Sequence, residues 1–352
     1  MYYFMLVLSA LLIGVAIYKK NPIVVSSEVR DKPYSWFSIC ALSITSCLAS
    51  MFILNPHIEM QSIPGDPVLS VYEHKANGLT MLWFLSEFYL FLVFAFFTLF
   101  KEVRNKYFIF FTDIISIAGI CGSFSGILRY LDKLDYSSVS ICAIAGVLIL
   151  LSVFFSKKNY ALTLLGNTNY LLIIGLGAYL AIGTDFNACL KSLGEIVSSK
   201  TLSVIGHSDE SELIAEYTGW AMAWSWVLGR FMCYVCQGKR VLNSMLVMNI
   251  CYFLTCLVWF TINENADLEH LTGIEKNVIL VIALISFLTS LNAMMRTIRM
   301  KNAFNHSVLI GYATLIIMLL GVYFGYIHAM LFPFWCFVVS VIGFLVFKIW
   351  RK

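Results

Sequence analysis

Apolar residues run along the whole chain in stretches long enough to cross a bilayer, separated by short polar breaks. Eleven such stretches fall at about 2–18, 35–54, 79–100, 108–128, 138–155, 169–183, 217–236, 241–262, 277–295, 306–325 and 329–349, most of them close to the ~20 residues that a spanning helix needs. The pattern predicts an all-α polytopic membrane protein. The first stretch has no basic residue before it and Lys19 and Lys20 after it, the reverse of a signal peptide. It is therefore expected to remain as a helix with Met1 outside. Alternate loops and the C-terminal tail hold seventeen Lys and Arg, among them Lys19, Lys20, Arg104, Lys239, Arg240 and Arg296, against six in the other loops. That bias predicts a cytoplasmic C-terminus.

Composition agrees with the pattern. Of 352 residues, 60% are hydrophobic and only 12% charged, and the mean hydropathy is +0.83. The ten cysteines lie mostly inside apolar stretches, where a thiol behaves as a small hydrophobe. Cys233 and Cys236 form a CxxC without a second pair, which argues against a metal or redox centre. No His-Glu-x-x-His, phosphate-binding loop or Gly-rich nucleotide fingerprint occurs, and His328 stands alone, so no enzyme is expected. The predicted outer loops are acidic. In the longest, about 184–216, Leu190, Leu193, Ile196 and Val197 have helical spacing and predict an amphipathic surface helix, with Gly194 as its weak point.

Candidate chemistry concentrates in Glu216–Lys239. Trp220 and Trp224 lie four apart and share a helix face, so they fit two walls of a cage for a quaternary ammonium group or, equally, an interfacial tryptophan belt. Trp83 and Glu87 share a face in the third stretch in the same way, which places a carboxylate one turn from an aromatic ring. Ionisable residues inside a membrane helix are costly and mark function. Arg230 is one, with three roles open to it: neutralising Glu87, replacing a coupling cation, or reaching along its helix toward the cytoplasm. Asp113, beside Thr112, reads as a helix N-cap.

Several motifs in order resemble the betaine/choline/carnitine transporter (BCCT) family. They are Asp31-Lys32-Pro33-Tyr34-Ser35-Trp36, Asn55-Pro56, Thr112-Asp113-Ile114-Ile115 with Gly122 and Gly126, Asn167-Thr168-Asn169 at the opening of the seventh helix, the tryptophan-rich Tyr217–Lys239, Thr289-Ser290 and Pro333-Phe334. The resemblance implies a short, divergent member that begins at the family's second helix. It also implies a LeuT-like core of five plus five inverted helices. Residues 1–34 would be an N-terminal helix and cytoplasmic loop, 35–183 the first repeat, 184–216 an extracellular segment and 217–352 the second repeat.

The function implied is secondary transport of a small quaternary-ammonium or zwitterionic solute by alternating access. Carried over by motif, the cage consists of Trp83, Phe88, Phe91, Trp220 and Trp224, with Glu87 favouring cations. Thr289 and Ser290 are the implied sodium ligands, and Arg230 is an extra charge or a substitute for sodium. No other cofactor is implied. The implied partners are the solute, membrane lipid and two further copies in a homotrimer, in a bacterial inner (plasma) membrane. Three departures favour an alternative, a transport-inactive relative acting as a membrane sensor or interaction protein: the family's first helix has no counterpart, Ser43, Thr45 and Cys47 replace its Gly-x-Gly-x-Gly, and Arg230 matches no family residue. Asn292 also stands where an Asp often follows the Thr-Ser pair.

Overall fold

A computed structural model describes residues 2–25, 33–47, 75–99, 136–155, 158–182, 212–265 and 273–299, with single positions at 53, 120, 124, 127–128, 130–131, 187, 191, 194 and 316. Among them are eight helices: α1 (Tyr2–Tyr18), α2 (Trp36–Cys47), α3 (Lys75–Leu99), α4 (Ser138–Phe155), α5 (Asn159–Leu180), α6 (Glu212–Val235), α7 (Val241–Asn265) and α8 (Gly273–Arg299). No strand forms among the described residues, and one isolated antiparallel bridge joins Ile23 to Arg240. Tyr160–Leu180, Val241–Glu264 and Gly273–Thr297 are long and apolar enough to cross a membrane. The chain therefore has the make-up of a helical membrane protein. The spans expected at 108–128, 306–325 and 329–349, the surface helix within 184–216, and Asp113 lie largely or wholly outside the described residues.

Five helices, α3 and α5 to α8, are longer than the hydropathy pattern suggested, and three of these differences matter here. α5 opens at Asn159, ten residues before the expected 169, so Asn167-Thr168-Asn169 lies in mid-helix and not at its opening. The reason is pairing. Asn167 Nδ2 donates to Ser38 Oγ at 3.2 Å and Asn169 Nδ2 to Ser286 Oγ at 2.6 Å, so amides that look like a helix boundary each place a donor on a neighbouring helix, while their oxygens stay unbonded among the described residues. α6 begins at Glu212, not 217. α8 runs to Arg299, which carries Arg296, counted above as a loop charge, into a buried helical position.

α3 lies between α6 and α7, α2 packs on α5, and α8 packs on α2, α4 and α5. Among the described glycines, the close approach to a neighbouring backbone is at Gly229 of α6. A Cβ there would lie 2.7 Å from Val93 Cγ1, 2.9 Å from the Phe94 backbone nitrogen and 3.1 Å from the Val93 carbonyl carbon. Small residues at helix crossings are how membrane helices gain close packing when no water is present to drive association. Within the helices, hydroxyl and amide side chains mostly bond their own backbone one turn back. Thr45 bonds Ala41, Thr255 bonds Cys251, Asn263 bonds Trp259 and Thr297 bonds Ala293, each at 2.7 Å, and Ser225 bonds Ala221.

The α1–α2 connection is held against the α6–α7 turn. α1 ends in a Schellman motif, with the Asn21 and Lys20 amides bonded back to Ala16 (2.7 Å) and Ile17 (2.8 Å). Lys20 and Asn21 then take φ of 58° and 50°, and Gly238 in the facing turn takes 81°. Beyond this reversal, Val24 donates to the Lys239 carbonyl (2.8 Å) and accepts from Gly238 (3.1 Å), and Val241 donates to Pro22 (3.0 Å).

Gly229→Ala is expected to lower the stability of the chain by about 1–3 kcal/mol, because its methyl meets backbone that cannot turn aside. Gly175→Ala, where a Cβ meets nothing within 4 Å, should leave stability unchanged or slightly raised. Thermal unfolding in detergent, followed by tryptophan fluorescence, measures both.

Candidate functional site

Helix packing brings the candidate aromatic residues together from α3, α6 and α7. Trp83 and Phe91 of α3 and Trp224 of α6 are fully buried. The Trp83 ring lies 6.4 Å from Phe260 at a 40° tilt, and Phe91 meets Tyr252 edge-on at 6.2 Å. Phe260 and Tyr252 both belong to α7, so two of the expected cage residues have ring partners that sequence reading missed. The signal was one of register. Trp83 and Phe91 are eight apart, as are Tyr252 and Phe260, and antiparallel helices at this offset bring both pairs into contact. The Trp224 indole N–H, also buried, has no hydrogen-bond partner among the described residues. Glu87 and Phe88 lie on α3 and Trp220 on α6, but their side chains lie outside the described residues.

The Thr-Ser pair sits where α8 meets α2 at Ser46. Ser290 Oγ is 3.0 Å from the Ser46 carbonyl and 3.1 Å from that of Ser286, and Thr289 Oγ1 bonds Ile285 at 2.8 Å. The bond from Ser290 to the Ser46 carbonyl joins α8 directly to α2. Neutral hydroxyl and carbonyl oxygens are the donor set that suits a hard monovalent cation, and they fit sodium as a transported ion. Of the two alternatives for these hydroxyls, cation ligation and bonding to helix backbone, the second is the geometry present. Asn292, two residues on, is buried with neither amide atom hydrogen-bonded among the described residues. Where the family has glycines, Ser43 is buried with an unbonded Oγ and Thr45 bonds its own helix. Among the described residues, no three His, Cys, Asp or Glu come together as metal ligands would.

Arg230 is half-buried, and its Nη2 donates to the Thr297 carbonyl at 3.1 Å, in the last turn of α8. A guanidinium at a helix C-terminus meets the negative end of the helix dipole. The bond points Arg230 toward the end of α8 that also carries Arg296. Arg296, buried one turn before the end of α8, lies with its guanidinium carbon 4.7 Å from the centre of the Tyr234 ring, and Tyr234 in turn meets Tyr34 edge-on at 6.2 Å. A separate groove of about 470 Å3 runs between α5 and α7, lined by residues including Tyr170, Ile173, Gly177, Cys251, Leu254 and Trp259. Neither Trp83 nor Trp224 lines it.

No protein-family model matches the chain, and no curated protein matches it either.

A double-mutant cycle on Trp83→Ala and Phe260→Ala should give a coupling of about 0.5–1.5 kcal/mol, as expected for two buried rings in contact. Unfolding of the two single variants and the double variant in detergent supplies the measurement. Additive losses would mean that the rings pack independently.

Proposed function

We propose that the chain is a secondary active transporter of a small quaternary-ammonium or zwitterionic solute of the betaine, choline or carnitine class, working by alternating access. The observation that carries the proposal is the burial of Trp83 and Trp224 on adjoining helices of a membrane protein, with the Trp224 N–H unbonded among the described residues. A tryptophan face attracts a cation most strongly where water is excluded, and an ammonium without N–H donors has little else to recognise it. Glu87, one turn from Trp83, would favour cations, and Phe88, Phe91 and Trp220 would complete the cage. Thr289, Ser290 and the Ser46 carbonyl are the oxygens offered to sodium as coupling ion.

Helix pairing supports a five-plus-five inverted core. If α2 and α3 open one repeat and α6 and α7 the other, the two-fold axis exchanges α2 with α6 and α3 with α7. The contact of α3 with α6 then has its mate in the contact of α2 with α7, and α3 against α7 maps onto itself. All three contacts are made. Repeats related in this way place substrate and ions near the midplane.

The ring contacts of Trp83 and Phe91 with α7 favour a second reading, a transport-inactive relative that senses a solute or binds a partner in the membrane. Rings packed on rings leave less room for a ligand.

Uptake of radiolabelled choline, glycine betaine and carnitine into proteoliposomes, with and without a sodium gradient, separates the two. Transport predicts accumulation of at least one solute and its loss in Trp224→Ala, a variant that should lose about 3–5 kcal/mol of stability but remain folded at the assay temperature. Ser290→Ala should raise the sodium concentration needed for half-maximal uptake by about tenfold, the loss of roughly one good ligand. Stabilisation of the folded chain by a solute without any flux would favour the sensor. Unchanged affinity in Trp224→Ala would remove the cage.

A further inference from the structure

α5 and α7 run in the same direction, since Tyr170 meets Cys251 near the middle of both spans and Gly177 faces Ile262 further along. Between them lies the groove of about 470 Å3. One end of it is at Tyr170 and Cys251, the other at Ala181 and Ile262, beside the C-terminal ends of the same two spans. From 170 to 181 and from 251 to 262 the helices rise ~1.5 Å per residue, which makes the groove about 16 Å long. Half of a ~30 Å hydrocarbon core is nearly the same length. The groove is one leaflet deep, running from the middle of the bilayer to its surface.

Its wall is largely hydrocarbon. Ile174, Leu254 and Val258 line it and are each 48% exposed, so it opens sideways to whatever surrounds the helices. Gly177 hollows the α5 side, where a Cβ would meet Ile262 Cδ1 at 3.9 Å and nothing nearer among the described residues. The polar groups at the mid-membrane end are already engaged. Tyr170 Oη and Cys251 Sγ share a hydrogen bond at 3.6 Å, and Thr255 Oγ1 donates to the Cys251 carbonyl at 2.7 Å. A polar solute or an extended peptide would leave its own donors and acceptors unpaired in such a groove, which is costly. A spanning helix of another copy or another protein would overrun it, because it needs a seat ~30 Å long. A flexible hydrocarbon chain of leaflet length meets neither objection.

We infer that the groove between α5 and α7 is a binding site for one acyl chain of a membrane lipid. The terminal methyl lies toward Tyr170 and Cys251, and the headgroup lies past Ala181 and Ile262 at the membrane surface. Along the way the chain packs on Ile173, Leu254 and Trp259 and supplies the dispersion contacts that an empty groove forgoes. It bridges α5 and α7 over the stretch beyond the Tyr170–Cys251 bond. The site needs a bilayer and no transported solute, so it stands apart from the transporter reading above.

Trp259 reports on the groove, because it lines it yet is 2% exposed and so out of reach of bulk lipid. The full chain is reconstituted in phosphatidylcholine whose acyl chains are brominated or unbrominated, bromine being a contact quencher of tryptophan. The emission of Trp259 is the difference between the native chain and Trp259→Phe in the same lipid. Bromination should remove most of that emission. In Gly177→Leu, whose side chain occupies the groove, the Trp259 emission should survive bromination, again measured against the matching Trp259→Phe variant. Ala181→Leu blocks the surface end and makes the same test should Gly177→Leu fail to fold. Trp259 emission untouched by bromine in the native chain would mean that protein, a further helix or a second copy, covers the groove, and would overturn the site. Equal quenching in the native and filled chains would mean that lipid reaches Trp259 by another route, and would overturn it as well.

Discussion

The backbone of α3 at Val93–Phe94 comes so near α6 that only a hydrogen fits at position 229. Much else depends on that approach. It sets α6 against α3 along their length and buries Trp224 in the same interior as Trp83. It also leaves the other side of α3 to α7, where Tyr252 and Phe260 come within reach of Phe91 and Trp83. In a bilayer the chain cannot rely on water to drive its helices together, so contacts at this range carry the association. A side chain at Gly229 would push α6 outward and loosen the aromatic interior with it.

The helical, membrane-spanning character was legible because it rests on composition and run length, which survive any error in detail. α4 coincides with the stretch expected at 138–155. Boundaries failed where polar residues found partners on other helices. Asn167 and Asn169 look like the end of a span until Ser38 and Ser286 are known to face them. Arg296 looks like a loop charge until the face of Tyr234 is seen beneath it. No sequence window holds that information, because the partners are more than fifty residues away.

The candidate site divides in the same way. Trp83, Phe91 and Trp224 could be chosen by residue type and spacing, and all three are buried. Which rings they touch depends on the antiparallel register of α3 and α7, which follows from packing. The hydroxyls of Thr289 and Ser290 could be named but not their bonds, since the approach of α8 to the Ser46 carbonyl of α2 follows from packing.

Thr45, Thr255, Asn263 and Thr297 each spend a polar group on the turn below in the same helix. Such bonds are indifferent to what a neighbouring helix does. The interior therefore carries many polar atoms but few polar ties between helices, and two helices can slide past one another while almost every donor keeps its acceptor. What resists displacement is side-chain shape, with polar catches such as Ser38–Asn167, Asn169–Ser286, Ser290–Ser46, Tyr179–Glu275 and Arg230–Thr297 among the described residues. The membrane interior is in this sense a greased joint, stiff along each rod and compliant between them.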